Sequence, residues 1–319
     1  MPHVAVVGAG SWGTALAIVL ARRGIPCTLW ARRANLAELI TATRCNASYL
    51  PGVLVPDLVS VTASLPEARA DVMLVVTPAS AVVDISSQIP LGPLMVSCAK
   101  GLDPTGARLS VGLERLGHRV AVLSGPNHAE EIALGLPAAS VIAATHAEDA
   151  REAQALLSGS AFRVYSSDDV TGVELGGVLK NVIALAAGMA DGLSLGDNAK
   201  AALVTRGLRE MSRLAEHEGA RRDTLYGLSG LGDLLATCYS VHSRNRAAGE
   251  RIARYLPPGL SGEVVEGLAS APLIGAMARQ LGLDLPLVEA VNAVLAATVA
   301  PRRALESLMN RPPGSESPT

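Results

Sequence analysis

Two constellations in this 319-residue chain have the residue types and spacing to do chemistry. Gly8, Gly10 and Gly13 are spaced as G-x-G-x-x-G, after an apolar run and at the opening of a helical one. In that context the first glycine permits a tight turn. The second lets a pyrophosphate approach the backbone, and the third lets helix and strand pack closely. Free N–H groups at the helix start favour an anion there. The reading is a dinucleotide-binding loop; the alternative is a plain strand-to-helix turn. The run that follows, Trp30-Ala31-Arg32-Arg33, has no carboxylate before Glu38. NAD enzymes place an acid at that point for the ribose hydroxyls, whereas arginine pairs a 2′-phosphate bidentately. NADP is therefore the expected cofactor, with NAD as the alternative. No G-x-x-x-x-G-K-[ST] phosphate loop occurs.

The second constellation is set by lysines. Of 27 basic residues only Lys100, Lys180 and Lys200 are lysines. Arginine stays protonated, whereas a buried lysine can give up its proton. Lys180 lies in the apolar run ELGGVLKNVIALAAGM, where a charge is costly unless paired or neutralised. Desolvation is expected to lower its pKa and fit it for proton transfer; the alternative is a lysine snorkelling to the surface. Gly176 and Gly177, one turn earlier, are expected to clear space for a ligand. Lys100 follows MVSCA, at the carboxyl end of an expected strand, where open sheets bind ligands; a surface turn is the alternative. Lys200 reads as an ordinary charge near a helix start. Asp233 closes the glycine-rich GLSGLGD segment, as a helix N-cap, a partner for a substrate hydroxyl, or a group orienting Lys180. Ser243 is placed to cap a further helix, and Arg244 to grip an anion at its start.

These residues need elements to position them. His3–Val7 and Pro26–Trp30 read as strands around a helix at Thr14–Arg23 that Gly24 ends. Asn35–Arg44 reads as helix. Apolar, β-branched runs at Asp71–Thr77, Leu94–Ala99, Val120–Leu123, Ser140–Ala144 and Phe162–Tyr165 read as buried strands. Alternation with helices predicts an open parallel sheet of Rossmann type, covered on both faces. From Val170 to Met309 the periodicity is helical, with candidates at Glu174–Met189, Ala199–Glu218, Leu234–Tyr239, Arg244–Tyr255, Glu263–Gly282 and Leu287–Thr298. The expected organisation is a dinucleotide-binding domain at 1–170, an all-α substrate-binding and catalytic domain at 171–310, and a disordered tail at 311–319.

Composition narrows the function classes. Hydrophobic residues make up 49% and charged residues 18%, with a net charge of -2. That gives a sizeable core and no field to attract nucleic acid or an anionic membrane. The four cysteines and six histidines show no metal-ligand spacing, so no metal is expected. Residues 1–21 lack charge, but the glycine loop interrupts them and no basic segment precedes them. No membrane span is expected, and the reading is a cytoplasmic protein.

The motifs GAGSWGTALA (8–17), CNASYLPG (45–52), AKGL (99–102), SGPNHAEEI (124–132), LGGVLKNVIALAAGMADGL (175–193), TRGLREM (205–211), GLSGLGDLLATC (227–238), HSRNR (242–246) and VVEG (264–267) occur in order. In these the chain resembles the bacterial NAD(P)-dependent glycerol-3-phosphate dehydrogenases. The resemblance implies reversible reduction of dihydroxyacetone phosphate, a phosphorylated triose, to sn-glycerol 3-phosphate, by hydride transfer at C2, and supply of a glycerophospholipid precursor. It implies that Lys180 is the catalytic proton acceptor, assisted by Asp233. Lys100, Gly125, Asn127, Ser243, Arg244 and Asn245 would line the substrate site with them. Gly8, Gly10, Ser11, Trp12, Gly13, Arg32, Arg33, Tyr49, Lys100, Ala129, Arg244, Val264 and Glu266 would hold NADP. It also implies a homodimer. One departure stands out: the family's usual G-P-[ST]-F-A reads Gly125-Pro126-Asn127-His128-Ala129 here. Asn127 loses a hydroxyl but keeps a donor and an acceptor, and His128 replaces an apolar ring. The alternatives are a related two-domain reductase for another hydroxy or keto substrate, or a non-catalytic NADP sensor. Adjacent Lys180 and Asn181 argue against the first, and the set Lys100, Lys180 and Asp233 against the second.

Overall fold

A computed structural model describes residues 2–65, 70–259 and 264–312. The chain opens with β1 (Val4–Val7), α1 (Ser11–Arg22), β2 (Cys27–Trp30), α2 (Ala34–Thr43), a small hairpin of β3 (Cys45–Asn46) and β4 (Leu50–Leu54), and β5 (Val59–Thr62). It continues through β6 (Val72–Val75), α3 (Ala79–Ser86), β7 (Leu94–Ser97), α4 (Leu109–Arg115), β8 (Arg119–Ser124), α5 (Ala129–Leu134), β9 (Ala138–Ala144), α6 (Ala147–Leu157) and β10 (Phe162–Ser167). Eight of these strands form one sheet in the order β10-β9-β8-β7-β6-β1-β2-β5. Strand sequences such as VAVV and VMLV are buried on both faces, as a helix-covered sheet requires.

The expected parallel sheet is realised across β5, β2, β1, β6, β7 and β8, but β9 pairs antiparallel to β8, and β10 follows β9 in parallel. The cause is the connection. Residues 125–137, including the six of α5, are all that separate β8 from β9, against residues 98–118 between the parallel strands β7 and β8, and a parallel return needs the longer crossover. β9 therefore starts where β8 ends. β3, β4 and β5 lie in a stretch read without strands; Pro51, Gly52 and Pro56 obscure their alternation.

The second half is helical: α7 (Val170–Gly192), α8 (Gly196–His217), α9 (Arg222–Tyr226), a π-turn at Leu228–Gly232, α10 (Asp233–Tyr239), α11 (Arg244–Ala253), α12 (Glu266–Gln280), α13 (Pro286–Leu295) and α14 (Pro301–Met309). The expected helices are present; α9 and α14 are additional. Glu263 lies outside the described residues, as do residues 313–319 of the expected tail. α7 is the core of this half, buried without a break from Gly172 to Ala190. It is long and apolar enough to cross a membrane, contrary to the expectation that no such stretch exists. Its apolar window is nevertheless wholly enclosed by the protein. Gly188 packs against the backbone of Arg246, and Gly249 against that of Leu185, so α11 lies directly on α7 without side chains between.

Candidate active site

β1, β6, β7 and β8 run the same way, so the residues after them, Gly8, Thr77, Lys100 and Gly125, share the carboxyl edge of the sheet. Gly8 has φ +124°, and a Cβ there would stand 2.6 Å from the Val76 carbonyl oxygen. Gly13 packs against the Gly8 carbonyl. Gly10 differs: among the described residues, a Cβ there would meet no atom within 4 Å. The glycine at 10 thus keeps open a space that the protein does not fill. α1 begins at Ser11, earlier than expected, and its N-cap Gly10 offers no side-chain bond to the first-turn N–H groups. Trp12 packs edge-on against Phe162, with ring centroids 6.2 Å apart. These features fit a dinucleotide pyrophosphate. At the end of β2, Arg32 and Arg33 are exposed. Arg33 donates to the Tyr49 hydroxyl at 3.2 Å and lies over its ring.

Facing this edge is a buried ionic cluster. Asp233, 2% exposed, is the first residue of α10 rather than its N-cap. Its two carboxylate oxygens accept from two different lysines, Oδ1 from Lys180 and Oδ2 from Lys100, each at 2.7 Å. Lys180 also donates to Thr237 Oγ1 at 2.6 Å. Lys100 also donates to the Gly125 carbonyl at 2.9 Å and to Asn127 Oδ1. An ammonium has three protons. Lys100 matches all three with acceptors, whereas Lys180 matches two among the described residues and leaves one over. Geometry thus separates two lysines that sequence placed side by side.

Burial pushes Lys100 down to about 8; Asp233 opposes the shift and neighbouring Lys180 adds to it. Burial alone would raise the Asp233 carboxyl, but the two ammonium groups hold it below the usual carboxylate range. The snorkelling alternative does not hold, because Lys180 is 6% exposed. Gly176 and Gly177 do not clear space for a ligand as expected. Gly176 admits the Ser229 backbone, and Gly177 admits Ser124 and the stem of Lys100. Lys200, read as ordinary, is buried against both Asp191 oxygens at 2.9 and 2.8 Å and lies over the Tyr239 ring. It ties α8 to the end of α7.

The cluster reaches α11 and α12 through amides. Asn181 donates to the Lys100 carbonyl at 2.9 Å and accepts from Asn245 Nδ2 at 2.8 Å, while Asn245 Oδ1 takes the Gly267 N–H at 2.9 Å. Glu266 accepts from the Ala79 N–H at 3.1 Å, and burial raises its carboxyl. Ala129 is buried at the start of α5, and Val264 is partly exposed. Ser243 caps α11 through the Arg246 N–H at 3.2 Å, and Arg244 stands exposed beside it. These two are not bonded into the cluster, and Arg33 with Tyr49 forms a separate group. His128, whose ring faces the Ala236 carbonyl at 3.2 Å, ties the loop after β8 to α10. Asn127 leaves Nδ2 buried without a partner among the described residues. Sequence reasoning missed Thr237, four residues after Asp233 and so on the same helix face. It also assigned no role to Asn181.

Known proteins share this plan. Residues 3–150 match the N-terminus, and residues 169–306 the C-terminus, of NAD-dependent glycerol-3-phosphate dehydrogenase. A glycerol-3-phosphate dehydrogenase (NAD(P)+) of Deinococcus radiodurans is 55% identical, covering 96% of this chain and 94% of that one. A namesake from Thermus thermophilus is 50% identical over 98% of this chain and all of its own. The crystal structure of glycerol-3-phosphate dehydrogenase from Coxiella burnetii superposes with a TM-score of 0.91 at 36% identity, covering 97% of this chain and 99% of that one. A glycine loop at the edge of a Rossmann sheet, faced by a buried lysine on a helical half, is thus found in a chain that belongs to the NAD-dependent glycerol-3-phosphate dehydrogenase family.

Proposed function

We propose that this chain is an NAD(P)-dependent sn-glycerol-3-phosphate dehydrogenase that reversibly reduces dihydroxyacetone phosphate at C2. The observation that carries this reading is the single free N–H on Lys180, held by Asp233 and Thr237, facing an edge suited to a dinucleotide. When bound, NAD(P)H supplies the hydride. Gly8, Gly10, Gly13, Ser11 and Trp12 would hold its pyrophosphate half, and Ala129, Val264 and Glu266 would contact it further along. Arg32 and Arg33, with Tyr49 beneath Arg33, would grip a 2′-phosphate, so NADP is the favoured form.

Lys180 gives its free proton to the C2 oxygen as negative charge develops there, and takes it back in the oxidative direction. Asp233 fixes the ammonium and supports its charge without moving a proton itself. Lys100, with Gly125 and Asn127, presents a compact positive charge to the substrate. Arg244 and Asn245, at the start of the helix capped by Ser243, would receive the phosphate. On this reading residues 1–170 bind the dinucleotide and residues 171–310 supply the substrate site and the acid–base group. The protein works in the cytoplasm as a homodimer, supplying a glycerophospholipid precursor. The test is the absorbance of NADPH and of NADH with dihydroxyacetone phosphate. Loss of NADPH absorbance only when the triose is present is expected; loss only with a different keto compound overturns the substrate assignment.

A further inference from the structure

The acid–base chemistry above needs Lys100 and Lys180 at a fixed spacing, yet they belong to different halves of the chain. Lys100 lies just after β7, in the connection to α4; Lys180 sits on α7. One face of α7 bridges them. Glu174, Gly177 and Asn181 recur at i, i+3 and i+7, a single stripe on a helix. All three touch the stretch from Lys100 to Ser110 or its immediate neighbour. Asn181 binds the Lys100 carbonyl at 2.9 Å. Gly177 admits the Lys100 stem. Glu174, 2% exposed, accepts from the Ser110 N–H at 2.9 Å and from the Ser110 hydroxyl at 2.5 Å, and pairs with Arg108 at 3.3 Å.

The Glu174 contact is unusual in its direction. α4 begins after Arg108, which gives the helix no side-chain cap. The N–H of its second residue is satisfied instead from the other half of the molecule. α3 shows the same device: it begins after Pro78 without a side-chain cap, and Glu266 of α12 takes its first N–H. Of the two, only Glu174 shares a helix with Lys180, six residues away.

We propose that Glu174 is a positioning residue: by docking α7 on the start of α4 it sets the spacing of Lys180 from Lys100. Asn181 holds the other end of the same docked stripe, about 10 Å along the helix. Loss of Glu174 frees the start of α7 to shift across α4, and a displacement of about 1 Å at reacting groups costs about 100-fold in rate. The proposal rests on the dehydrogenase reading.

The experiment compares Glu174→Ala with Arg108→Ser/Glu174→Ala, against wild type and Arg108→Ser. A serine at 108 gives α4 its own N-cap; it also removes the Arg108–Glu174 pair, which the comparison with Arg108→Ser as parent takes into account. Turnover of dihydroxyacetone phosphate is expressed per NADPH-binding site, counted by fluorescence titration, so unfolded protein does not enter. Thermal midpoints are recorded in parallel. The expected result is a 10- to 100-fold fall in kcat per site in both Glu174→Ala variants, with the NADPH dissociation constant within about twofold of the parent. The fall persists in the double variant even where its thermal midpoint recovers. Turnover per site within twofold of the parent in either variant overturns the proposal. So does kcat that returns together with the thermal midpoint, which would make Glu174 only a cap. Inactivity of wild type on this substrate would instead strike the functional reading, and is separately visible.

Discussion

The two sides of the cleft solve opposite problems. At the sheet edge Gly8, Gly10 and Gly13 act through side chains they do not have, leaving backbone N–H groups and open space. On α7 and α10, Lys180 and Asp233 act through charges that the fold has buried at some cost. The glycine loop is neutral and shaped by sterics; the pair on α7 and α10 is ionic and shaped by hydrogen bonds. Changes on the first should alter dinucleotide affinity, and changes on the second should alter rate or stability. That division is what experiments can break.

The largest expected effect is on the ionic side. Lys180→Ala should lower kcat by about 1,000-fold, in the range for a lost general acid, with NADPH affinity unchanged in a fluorescence titration. A matching loss of affinity would erase the division. Next, Asp233→Asn leaves two buried ammonium groups without their shared anion. Removing one partner of a buried pair costs about 3–5 kcal/mol, so the denaturation midpoint should fall sharply as well as kcat.

On the steric side, Gly10→Ala adds a methyl group that meets no protein atom. Stability should stay within about 0.5 kcal/mol, while NADPH binds about 10-fold more weakly because the methyl occupies the ligand's space. A stability loss with intact affinity would show that the space belongs to the fold rather than to the cofactor. The smallest effect is in pH. Lys100 titrates near 8 in the folded protein, below the ordinary lysine value of 10.5. Above pH 8 it loses its charge, and KM for the triose phosphate should rise a few-fold. Stability should move the other way. The unfolded chain binds the proton more tightly between 8 and 10.5, so this group's contribution rises with pH across that window. Parallel KM and urea-denaturation profiles check both signs.

The glycine loop, Lys180, Lys100 and Asp233 were legible because local sequence carries their signals: a spacing, an apolar run around one charge, a strand end. What escaped was set by partners far along the chain. The reversal of β9 depends on the short connection between β8 and β9, residues 125–137. Thr237 and Asn181 matter because of the lysines they face, and their own surroundings look like ordinary helix. Gly176 and Gly177 show the same limit: their smallness was visible, but whether it admits a ligand or the protein is decided by where the π-turn lies for Gly176, and by where Ser124 and Lys100 lie for Gly177. Lys200 looked like a surface charge because its anion, Asp191, comes from the preceding helix.

The enclosure of α7 also has a consequence for how the protein is made. The chain leaves the ribosome from its N-terminus, so the sheet strands emerge before α7, the longest helix among the described residues. α7 ends at Gly192, whereas α11, which lies directly on its glycines, ends at Ala253 and α12 at Gln280. At about 5–20 residues per second, a helix apolar enough to enter a lipid bilayer waits several seconds for the partners that cover it. Newly made chains therefore pass through an interval in which chaperones, membranes and one another compete for α7, and the speed of synthesis between Gly192 and Gln280 governs how many chains reach the native state.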